Sequence, residues 1–399
     1  MTTTEEFRMP VARTCPFAQP EQYTQMRDEK APVRVPLPNG SKAWVVTRHE
    51  DARRVLGDRR FSSDRFHPNF PFLTEGGTSI RPSEKSMIGM DAPEHTEARK
   101  VVLGEFTVRR VEALRPRIQQ IVDGLIDDIL ATEGPVDLVE KLSLPVPSLV
   151  ICELLGVPYA DHDFFQEQTM AIVRRSVRPE DRRAATERLR EYLSDLVKQK
   201  EADPGDDLLG RQITKRRAEG TYRHEAMIGL SFLLLVAGHE TTANMISLGT
   251  VALLQHPDQL AMIRKNPEKT LPAVEELLRY FTIVESATSR VATGDVEVGG
   301  VTIKAGDGVI VLGYAANWDP DVFENPAELD LERGARHHVA FGFGPHQCLG
   351  QNLARMELQI VFDTLFRRIP TLECPLPADE LPVKEDAVIF GLYRLPVTW

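Results

Sequence analysis

The chain has 399 residues, a formal net charge of −11 and a hydrophobic fraction of 42%. This apolar content is ample for a large core, and the acidic balance argues against nucleic acid as the main partner. The four cysteines are scattered without a Cys-x-x-Cys pair, which is typical of a protein in a reducing cytosol rather than of a disulfide framework.

The first residues and the most apolar internal run do not predict a membrane segment. Residues 1–10 are polar and partly acidic, which is unlike a signal peptide or a membrane anchor. The most apolar run, residues 228–237, is too short to span a bilayer. We therefore expect a cytoplasmic protein that does not contact a membrane.

The first half of the chain predicts a hairpin, a loop and then helices. Residues 33–35 alternate apolar and polar, Pro38-Asn39-Gly40 offers a turn, and residues 43–47 predict the return strand. Residues 67–93 are rich in Pro, Gly and Phe and predict a long loop with at most short helices. Helical patterns dominate from residue 94 to about residue 200.

Beyond residue 200, charge, proline and glycine mark the element boundaries. Residues 203–220 predict an exposed connection, and residues 224–255 predict a long helix that stops before His256-Pro257. The remaining predictions are a helix over 271–280, a hairpin over 296–303 around Gly299-Gly300, a strand over 309–312 and a helix that ends near residue 368. The predicted fold class is mainly α with a minor β region.

Residues 341–350, Phe-Gly-Phe-Gly-Pro-His-Gln-Cys-Leu-Gly, place Cys348 in a glycine-rich loop at the start of the last predicted helix. Backbone N–H groups and the macrodipole at a helix N-terminus favour the thiolate form of a cysteine. Gly344 and Gly350 carry no Cβ and allow the backbone to approach a flat partner closely. A thiolate held in this way suits a soft metal centre, of which haem iron with an axial cysteine is one.

This cysteine has two alternative interpretations. A lone cysteine is more often a small buried hydrophobe than a ligand. His346, together with His337 and His338, could suggest zinc, but His-x-Cys does not match the usual spacing of zinc ligands. No second cysteine pair completes a tetrahedral set, so the loop favours a thiolate–haem site.

The four residues Phe341, Gly344, Cys348 and Gly350 stand in the pattern Phe-x-x-Gly-x-x-x-Cys-x-Gly. This pattern resembles the haem-binding signature of the cytochrome P450 family at every fixed position. The resemblance extends over essentially the whole chain and implies one P450 domain over residues 1–399. It implies a long central helix over haem b (iron protoporphyrin IX), a cysteine loop beneath it, and Cys348 as the axial ligand of the iron.

Residues 237–242, Ala-Gly-His-Glu-Thr-Thr, lie in the most apolar part of the long predicted helix. A carboxylate there is costly unless it has a task or a partner, and the Thr241 hydroxyl can bond the Ala237 carbonyl and distort the helix. The alternative is an ordinary helix turn that faces solvent. The resemblance implies that Glu240 and Thr241 are an acid–alcohol pair that handles the protons of dioxygen reduction, whereas His239 has no family role and is expected to be a packing or pocket residue.

Glu276 and Arg279 are spaced i, i+3, which alone predicts a surface pair worth about 0.2–0.5 kcal/mol. In context they resemble the Glu-x-x-Arg motif of the family, and Arg333 matches its third member. The resemblance therefore implies a structural charge network that supports the cysteine loop.

The two propionates of haem need cationic or hydrogen-bonding partners. His95 and Arg99 are spaced i, i+4 and share a helix face. The resemblance places them on the propionates, together with Arg290 and His346. Each of these residues taken alone would be assigned to a solvated surface.

Six basic residues form a cluster within the otherwise acidic chain: Arg99, Lys100, Arg109, Arg110, Arg115 and Arg117. Such a run is commonly a solvated face. The family alternative is a docking patch for an acidic ferredoxin that delivers electrons. The sequence leaves these two interpretations level.

The resemblance implies a monooxygenase that inserts one atom of dioxygen into a C–H bond of a hydrophobic small molecule. The electrons would come from NAD(P)H through ferredoxin reductase and ferredoxin, and the enzyme would act as a monomer. Residues 156–162 and 395–399 resemble a bacterial branch that hydroxylates macrolides, secosteroids and xenobiotics. The substrate pocket would be shaped by residues 66–88, 164–173, 283–284 and 388–390. A peroxygenase and a non-catalytic haem sensor are the alternatives, although neither needs the acid–alcohol pair.

Overall fold

The computed structural model describes residues 7–73, 85–174, 176–284, 288–385 and 387–399. Helices dominate these residues, as the sequence predicts, and the strands between them are short. The α-helices are α1 (Glu21–Asp28), α2 (His49–Gly57), α3 (Glu94–Leu103), α4 (Val108–Leu130), α5 (Pro145–Leu155), α6 (His162–Val173), α7 (Pro179–Ala202), α8 (Leu208–Ala218), α9 (His224–Gln255), α10 (Pro257–Lys265), α11 (Thr270–Phe281), α12 (Gly313–Asn317) and α13 (Gln351–Arg368). The strands are β1 (Val33–Pro36), β2 (Lys42–Val46), β3 (Phe61–Ser62), β4 (Val136–Asp137), β5 (Arg290–Ala292), β6 (Val296–Val298), β7 (Val301–Ile303), β8 (Gly308–Val311) and β9 (Pro396–Val397).

The chain forms two compact units, and each is assembled from three separate stretches. The first unit comprises Met1–Thr96, Pro272–Cys348 and Val383–Phe390, and the second comprises Glu97–Leu271, Leu349–Pro382 and Gly391–Trp399. The single domain expected over residues 1–399 stays a prediction.

The first unit contains a five-stranded sheet in the order β1-β2-β8-β5-β3. The predicted N-terminal hairpin is confirmed, since β1 and β2 pair antiparallel with Val33 opposite Val45. β2 then pairs parallel with β8, and β5 pairs antiparallel with β8 and β3. The second predicted hairpin is also confirmed: β6 and β7 are joined by Gly299 and Gly300, whose φ angles are +52° and +82°. Two positive φ angles are what a tight two-residue hairpin turn requires.

The core of the first unit lies between this sheet, α2 and the hairpin of β6 and β7. It consists of aliphatic side chains with one phenylalanine: Val46, Ala52, Val55, Leu56, Phe61, Ala292, Val296, Val298, Ile303, Val309, Val311, Ala316 and Val339. Phe343 packs against this cluster from the loop that contains Cys348. The core of the sheet therefore fixes one side of the cysteine loop.

The second unit is organised around α9, which contacts α5, α7 and α13. The predicted bounds of this helix and its end before His256-Pro257 are confirmed. A Cβ atom at Gly249 would lie 2.5 Å from Cζ of Phe362, so glycine allows α9 and α13 to approach each other closely. A two-stranded sheet of β4 and β9 completes this unit.

α9 satisfies the length and composition of a membrane span, with a mean hydropathy of 1.4 over its most apolar 18-residue window. The apolar run at residues 228–237 therefore belongs to a helix that is long enough to span a membrane. The shortness of the run does not by itself exclude a membrane span. More than half of that window, 56%, is buried within the protein. Packing against neighbouring helices accounts for the apolar character of α9.

One predicted connection is wrong. Residues 203–220 contain α8, where an exposed linker was expected. The side chain of Asp207 caps this helix by accepting a hydrogen bond from Gly210 N at 2.9 Å, and Leu208, Leu209 and Ile213 are fully buried. The basic residues of its last turn dominate the composition and obscure this apolar face.

Candidate functional site

The loop before α13 is held by its own backbone. The Cys348 N–H donates to the Phe341 carbonyl at 2.8 Å, and the Gln347 N–H donates to Gly344 O at 3.0 Å. A short 3-10 helix, Gly344–His346, lies between these bonds. Phe341 therefore acts on the loop through its carbonyl oxygen, and Cys348 stays half-buried.

Cys348 lies slightly further from the helix than the sequence predicts. The apolar periodicity begins at Leu349, whereas α13 begins at Gln351 with Gly350 as its N-cap. The two residues after Cys348 form a turn, and the Gly350 carbonyl accepts a hydrogen bond from Ala354 N at 2.9 Å as α13 begins. The cysteine nevertheless precedes the first helical residue by only three positions.

The two signature glycines serve different purposes. Gly344 has φ +72°, and a Cβ there would lie 2.6 Å from the carbonyl oxygen of Leu56 on α2. It is therefore required for the contact between the loop and α2. The space beside Gly350 is open: no heavy atom of the described residues lies within 4 Å of the position that a Cβ would take. Of the two glycines, Gly350 is therefore the one with room for a flat partner.

All four cysteines are free thiols, and burial shifts the pKa of two of those outside the loop, Cys152 and Cys374. Burial raises the pKa of Cys152 to about 12, and the charge of Asp161 adds to this shift. Burial also raises the pKa of Cys374. Both thiols are therefore protonated at neutral pH and unsuited to bind a metal as thiolates.

A closed ionic network supports the segment that leads to the cysteine loop. Arg279 donates to both carboxylate oxygens of Glu276, at 2.7 and 2.8 Å, and Arg333 Nε donates to the same carboxylate at 3.1 Å. Arg279 also donates to Asn317 O at 2.9 Å, and the side chain of Asn317 accepts from Val339 N at 2.8 Å. The predicted network is confirmed, but the pair of Glu276 and Arg279 is fully buried rather than a surface pair.

The structure brings together two of the predicted propionate partners. The rings of His95 and His346 are stacked, with centroids 3.8 Å apart and planes 26° apart. His95 and Arg99 lie on the same face of α3, one helical turn apart, and Arg99 is half-buried. His95 itself is buried.

Arg290, a third predicted partner, is buried beside a second, half-buried cation, Arg65, that the sequence did not reveal. Burial and the nearby charge of Arg65 lower the pKa of Arg290 to about 10, and Asp91 opposes this shift. Burial also lowers the pKa of Arg65. Asp91 already accepts hydrogen bonds from Ser62 Oγ and, at 2.8 Å, from Ser63 N. Around Arg290, two cations therefore lie beside one carboxylate, and an anionic group would balance this local excess of positive charge.

Arg65 could not be found from the sequence. It lies next to the Phe- and Pro-rich loop, whose residues 74–84 lie outside the described residues. No periodicity or spacing connects it to Arg290, which is more than two hundred residues away. Only the packing of residues around β3 and β5 brings the two guanidinium groups into one electrostatic environment.

In the second unit, α9 exposes a narrow apolar stripe although most of the helix is buried. Ala237 is exposed and Leu233 and Thr241 are half-buried, and these three residues follow one another at intervals of four. The Thr241 hydroxyl donates to Ala237 O at 2.8 Å, which confirms the predicted bond. The helix runs without interruption past this point, so a distortion there stays a prediction.

The neighbours of Thr241 on α9 face the protein interior. Glu240 is buried and accepts a hydrogen bond from Asn244 Nδ2 at 3.2 Å. His239 is buried as well, with Nδ1 3.3 Å from the hydroxyl of Thr169 on α6. Asn244 orients one oxygen of the carboxyl group, a role that its helical spacing of four allows but does not predict. His239 is a packing residue, as expected.

Comparisons with known proteins agree with this arrangement. Residues 180–391 match the family described as Cytochrome P450. The solved structure of cytochrome P450 MoxA from Nonomuraea recticatena is 60% identical, with a TM-score of 0.92 over 99% of this chain and 98% of that chain. The vitamin D3 dihydroxylase of Streptomyces griseolus is 46% identical over 100% of this chain and 98% of the relative. The mycinamicin VIII C21 methyl hydroxylase of Micromonospora griseorubida, solved with mycinamicin VIII bound, is 44% identical with a TM-score of 0.92 over 98% of this chain and 99% of that chain.

These likenesses extend over nearly the full length of both this chain and its relatives, and their identities leave no ambiguity about common ancestry. The mainly α fold with its small β region is the P450 fold. The chain therefore belongs to the cytochrome P450 family, in the branch of these bacterial hydroxylases, and it is a haem monooxygenase that uses dioxygen and electrons from redox partners to hydroxylate a hydrophobic substrate.

Proposed function

We propose that Cys348 binds the iron of haem b through its thiolate. The observation that carries this assignment is the loop itself: Cys348 is half-buried where backbone hydrogen bonds fix it three residues before α13, whereas burial raises the pKa of Cys152 and Cys374. Phe341 and Gly344 maintain the loop, and the open space beside Gly350 suits a flat ring system. This donor chemistry fits a thiolate-ligated haem.

The propionates of haem would be held by Arg65, Arg290 and their neighbours. Arg65 and Arg290 supply positive charge that Asp91 alone does not balance. His95 and His346 add ring nitrogens, and Arg99 follows His95 by one helical turn. Arg65 joins the four residues that the family pattern assigns to this task, because a carboxylate is the anion that a guanidinium group binds best.

Haem, when bound, supplies the activation of dioxygen that allows one oxygen atom to enter a C–H bond. Thr241 is proposed to handle the protons that this reaction consumes. Its hydroxyl proton is held by Ala237 O, so the lone pairs on Oγ1 remain able to accept a bond from water. To pass on its own proton, the hydroxyl must rotate away from the Ala237 carbonyl.

Glu240 is proposed to supply the protons that Thr241 passes on. Asn244 fixes one oxygen of its carboxyl group, and the group is buried within α9. A buried carboxyl can take up and release a proton at a defined position, which is what general acid catalysis requires. The hydrophobic environment of the helix limits the competing access of bulk water.

The substrate is proposed to be a macrolide, a steroid-like compound or a drug-like xenobiotic. The relatives named for vitamin D3 and mycinamicin VIII support large hydrophobic substrates. A panel of macrolides, steroids and terpenoids, titrated against the haem absorbance spectrum, tests this class. Shifts with small polar compounds alone would contradict it.

A ferredoxin, reduced by ferredoxin reductase, is the proposed electron donor. The side chains of Arg109 and Arg110 are exposed, and their guanidinium groups make no ion pair within the part of the chain that the structure describes. Leu103 and Val108 beside them are 48% and 64% exposed. By contrast, Arg115 and Arg117 pair with Glu112 and Glu153. An exposed surface of mixed basic and apolar character suits a transient acidic partner.

We further propose that the enzyme is a cytoplasmic monomer and folds as one domain over residues 1–399.

The assignment of Cys348 is tested by the absorbance of the reduced protein with carbon monoxide. The wild-type protein should give the strongly red-shifted Soret band of thiolate ligation, and Cys348→His should abolish it. Cys15→Ser, Cys152→Ser and Cys374→Ser are the matched controls and should retain the band. Persistence of the band in Cys348→His would refute the assignment.

The role of Thr241 is tested by the coupling of electron use to product formation. Thr241→Ala should bind haem and substrate and consume NADPH, but it should release more hydrogen peroxide and less product per NADPH. Thr241→Ser keeps the hydroxyl and should remain coupled. The assay uses the compound from the panel that gives the largest spectral shift. Wild-type coupling in Thr241→Ala would mean that another group carries the proton.

A further inference from the structure

Thr282, the first residue after α11, has an unusual backbone conformation. Its φ angle is +35°, in the left-handed region that β-branched residues rarely adopt. Such strain persists only where the surrounding structure fixes the residue in several ways at once. Thr282 is buried, so solvent does not relieve this strain.

Every polar group of Thr282 has a partner. Its N–H donates to Leu278 O at 3.0 Å, and its hydroxyl donates to Arg279 O at 2.8 Å. The hydroxyl also accepts from Asn317 Nδ2 at 2.7 Å, and the carbonyl accepts from Arg13 Nη1 at 3.3 Å. We call Thr282 with these partners the Thr282 corner.

Arg13 reaches this corner from the N-terminal segment. Its guanidinium carbon lies 3.8 Å from the ring centroid of Tyr314 and 3.9 Å from that of Phe390. Nη2 donates to Phe281 O at 2.9 Å, and the side chain is buried. A planar cation between two rings, with donors at its edge, fixes both the rings and the backbone that it touches.

The Thr282 corner directs two paired segments. The chain leaves Thr282 into residues 283–284, and Ile283 O accepts a hydrogen bond from Phe390 N at 2.9 Å. Val284 and Ile389 form an antiparallel bridge. Residues 283–284 and 388–390 are two of the segments that the P450 resemblance assigns to the substrate pocket. Arg13 contacts Phe390 in the second segment and the corner that begins the first.

We infer that Arg13 and Thr282 are positioning residues that set the direction of the paired segments and thereby the shape of the substrate pocket. This inference rests on the proposed function, because it takes these segments to face the substrate. Neither residue needs to touch the substrate. A small rotation at Thr282 would move both segments together, because backbone hydrogen bonds couple them.

The test compares a small and a bulky ligand of the haem iron. Imidazole reports the iron site alone, whereas clotrimazole also fills the surrounding pocket with its apolar rings. Dissociation constants for both are measured by absorbance titration in the wild type, Arg13→Lys, Thr282→Gly and Thr282→Ser. Lysine keeps the charge of Arg13 without the planar contact with both rings, and glycine removes the hydroxyl while relieving the strain.

We expect clotrimazole to bind about tenfold more weakly to Arg13→Lys and Thr282→Gly. The affinity for imidazole should stay within about twofold of that of the wild type, because the contact to the iron is unchanged. Thr282→Ser keeps the hydroxyl and should retain the affinity for clotrimazole. Val122→Ala is the matched control, because it creates a cavity at a buried residue of α4 in the second unit. It should lower the melting temperature without changing the ratio of the dissociation constants for clotrimazole and imidazole.

An unchanged ratio in both Arg13→Lys and Thr282→Gly would overturn the inference, even if their melting temperatures fall. If Arg13→Lys does not fold, the two Thr282 variants decide the question by themselves. Failure of the proposed function has a different signature, since the wild-type protein would then lack the thiolate band with carbon monoxide.

Discussion

Two groups of charged side chains in the first unit differ in how their charge is balanced. In the first group, Glu276 joins Arg279 and Arg333 through bonds of 2.7 to 3.1 Å, and the two arginines share their remaining donors among backbone carbonyls. In the second group, Arg65 and Arg290 are two cations beside one carboxylate, Asp91, which is already bonded to Ser62 and Ser63. The first group is complete, whereas the second retains an excess of positive charge.

The difference teaches how to separate a structural ion pair from a ligand site. Burying a charge costs several kcal/mol, so a stable fold balances it with protein groups or with a ligand. The complete group needs nothing further and stabilises the fold around the cysteine loop. On the proposed function, the incomplete group would destabilise the protein alone and become favourable when a propionate binds. The two groups should therefore respond in opposite ways to the removal of an arginine.

The largest effect is expected for Arg279→Ala. It leaves the buried carboxylate of Glu276 without its bidentate partner, so the free energy of unfolding should fall by about 3–5 kcal/mol. Denaturant titration with and without haem should give the same loss. Arg279→Lys restores the charge without the fork of donors and should recover only part of the stability. A loss seen only in the haem-bound protein would contradict a purely structural role.

Arg290→Ala should act on haem retention instead. The bound propionate would lose a charge-assisted bond worth about 1.5–3 kcal/mol, so the protein should release haem about ten- to a hundredfold more readily. The haem-free protein should unfold at much the same temperature as the wild type, since the burial that lowers the pKa of Arg290 makes this cation unfavourable.

Transfer of haem to apomyoglobin measures the first effect, and differential scanning calorimetry of the haem-free protein measures the second. Arg59→Ala, an exposed arginine near β3, is the matched control and should retain haem normally. Destabilisation of the haem-free Arg290→Ala protein by several kcal/mol would place Arg290 with the structural group.

A third way to bury a charge is to neutralise it, and Glu357 on α13 does this. Burial raises the pKa of Glu357 from its ordinary 4.5 to about 8, and its Oε2 has no hydrogen-bond partner among the described residues. The folded protein therefore keeps a proton that the unfolded chain releases above pH 4.5, and stability falls as the pH rises from there to about 8.

Glu357→Gln mimics the protonated carboxyl and should remove this dependence. The variant should match the wild type below pH 4.5 and exceed it at pH 8, with the difference growing by at most about 1.4 kcal/mol per pH unit. Urea titrations at a series of pH values measure it. A constant difference across that range would mean that Glu357 is ionised in the folded protein.

The elements that the sequence predicts well are those whose signals are local. The bounds of α9 follow from an apolar run that ends at His256-Pro257, and the turn at Gly299-Gly300 follows from residues that accept positive φ. α8 was missed, because its apolar face is short and the charges of its last turn dominate the composition. Local patterns identify an element only when its buried face is long enough to repeat.

The candidate site was predictable where the chemistry depends on one short motif. Cys348 and the bond from Thr241 to Ala237 follow from residues close together in sequence. Arg65 and the Thr282 corner were not predictable, because their partners come from distant parts of the chain and only folding brings them together. Whether carboxylates balance the charge of a buried cation likewise depends on all the residues that pack around it.

The smallest effect is expected at the exposed cations. Arg109 and Arg110 are solvated, so Arg109→Glu should leave the melting temperature and substrate binding unchanged, since exposed charges contribute little to stability. If the surface docks an acidic ferredoxin, the reversal should slow reduction of the haem by up to about tenfold at low salt. The difference from the wild type should shrink as salt is added, because salt screens exposed charges over about 10 Å at 0.1 M.

The control is Arg183→Glu, which changes an exposed arginine on α7 of the same unit and alters the net charge by the same amount away from this surface. Stopped-flow reduction by spinach ferredoxin compares the two variants. Equal slowing in both would assign the effect to net charge, and no slowing in either would make the basic cluster a solvated face; only a slowing confined to Arg109→Glu supports docking there.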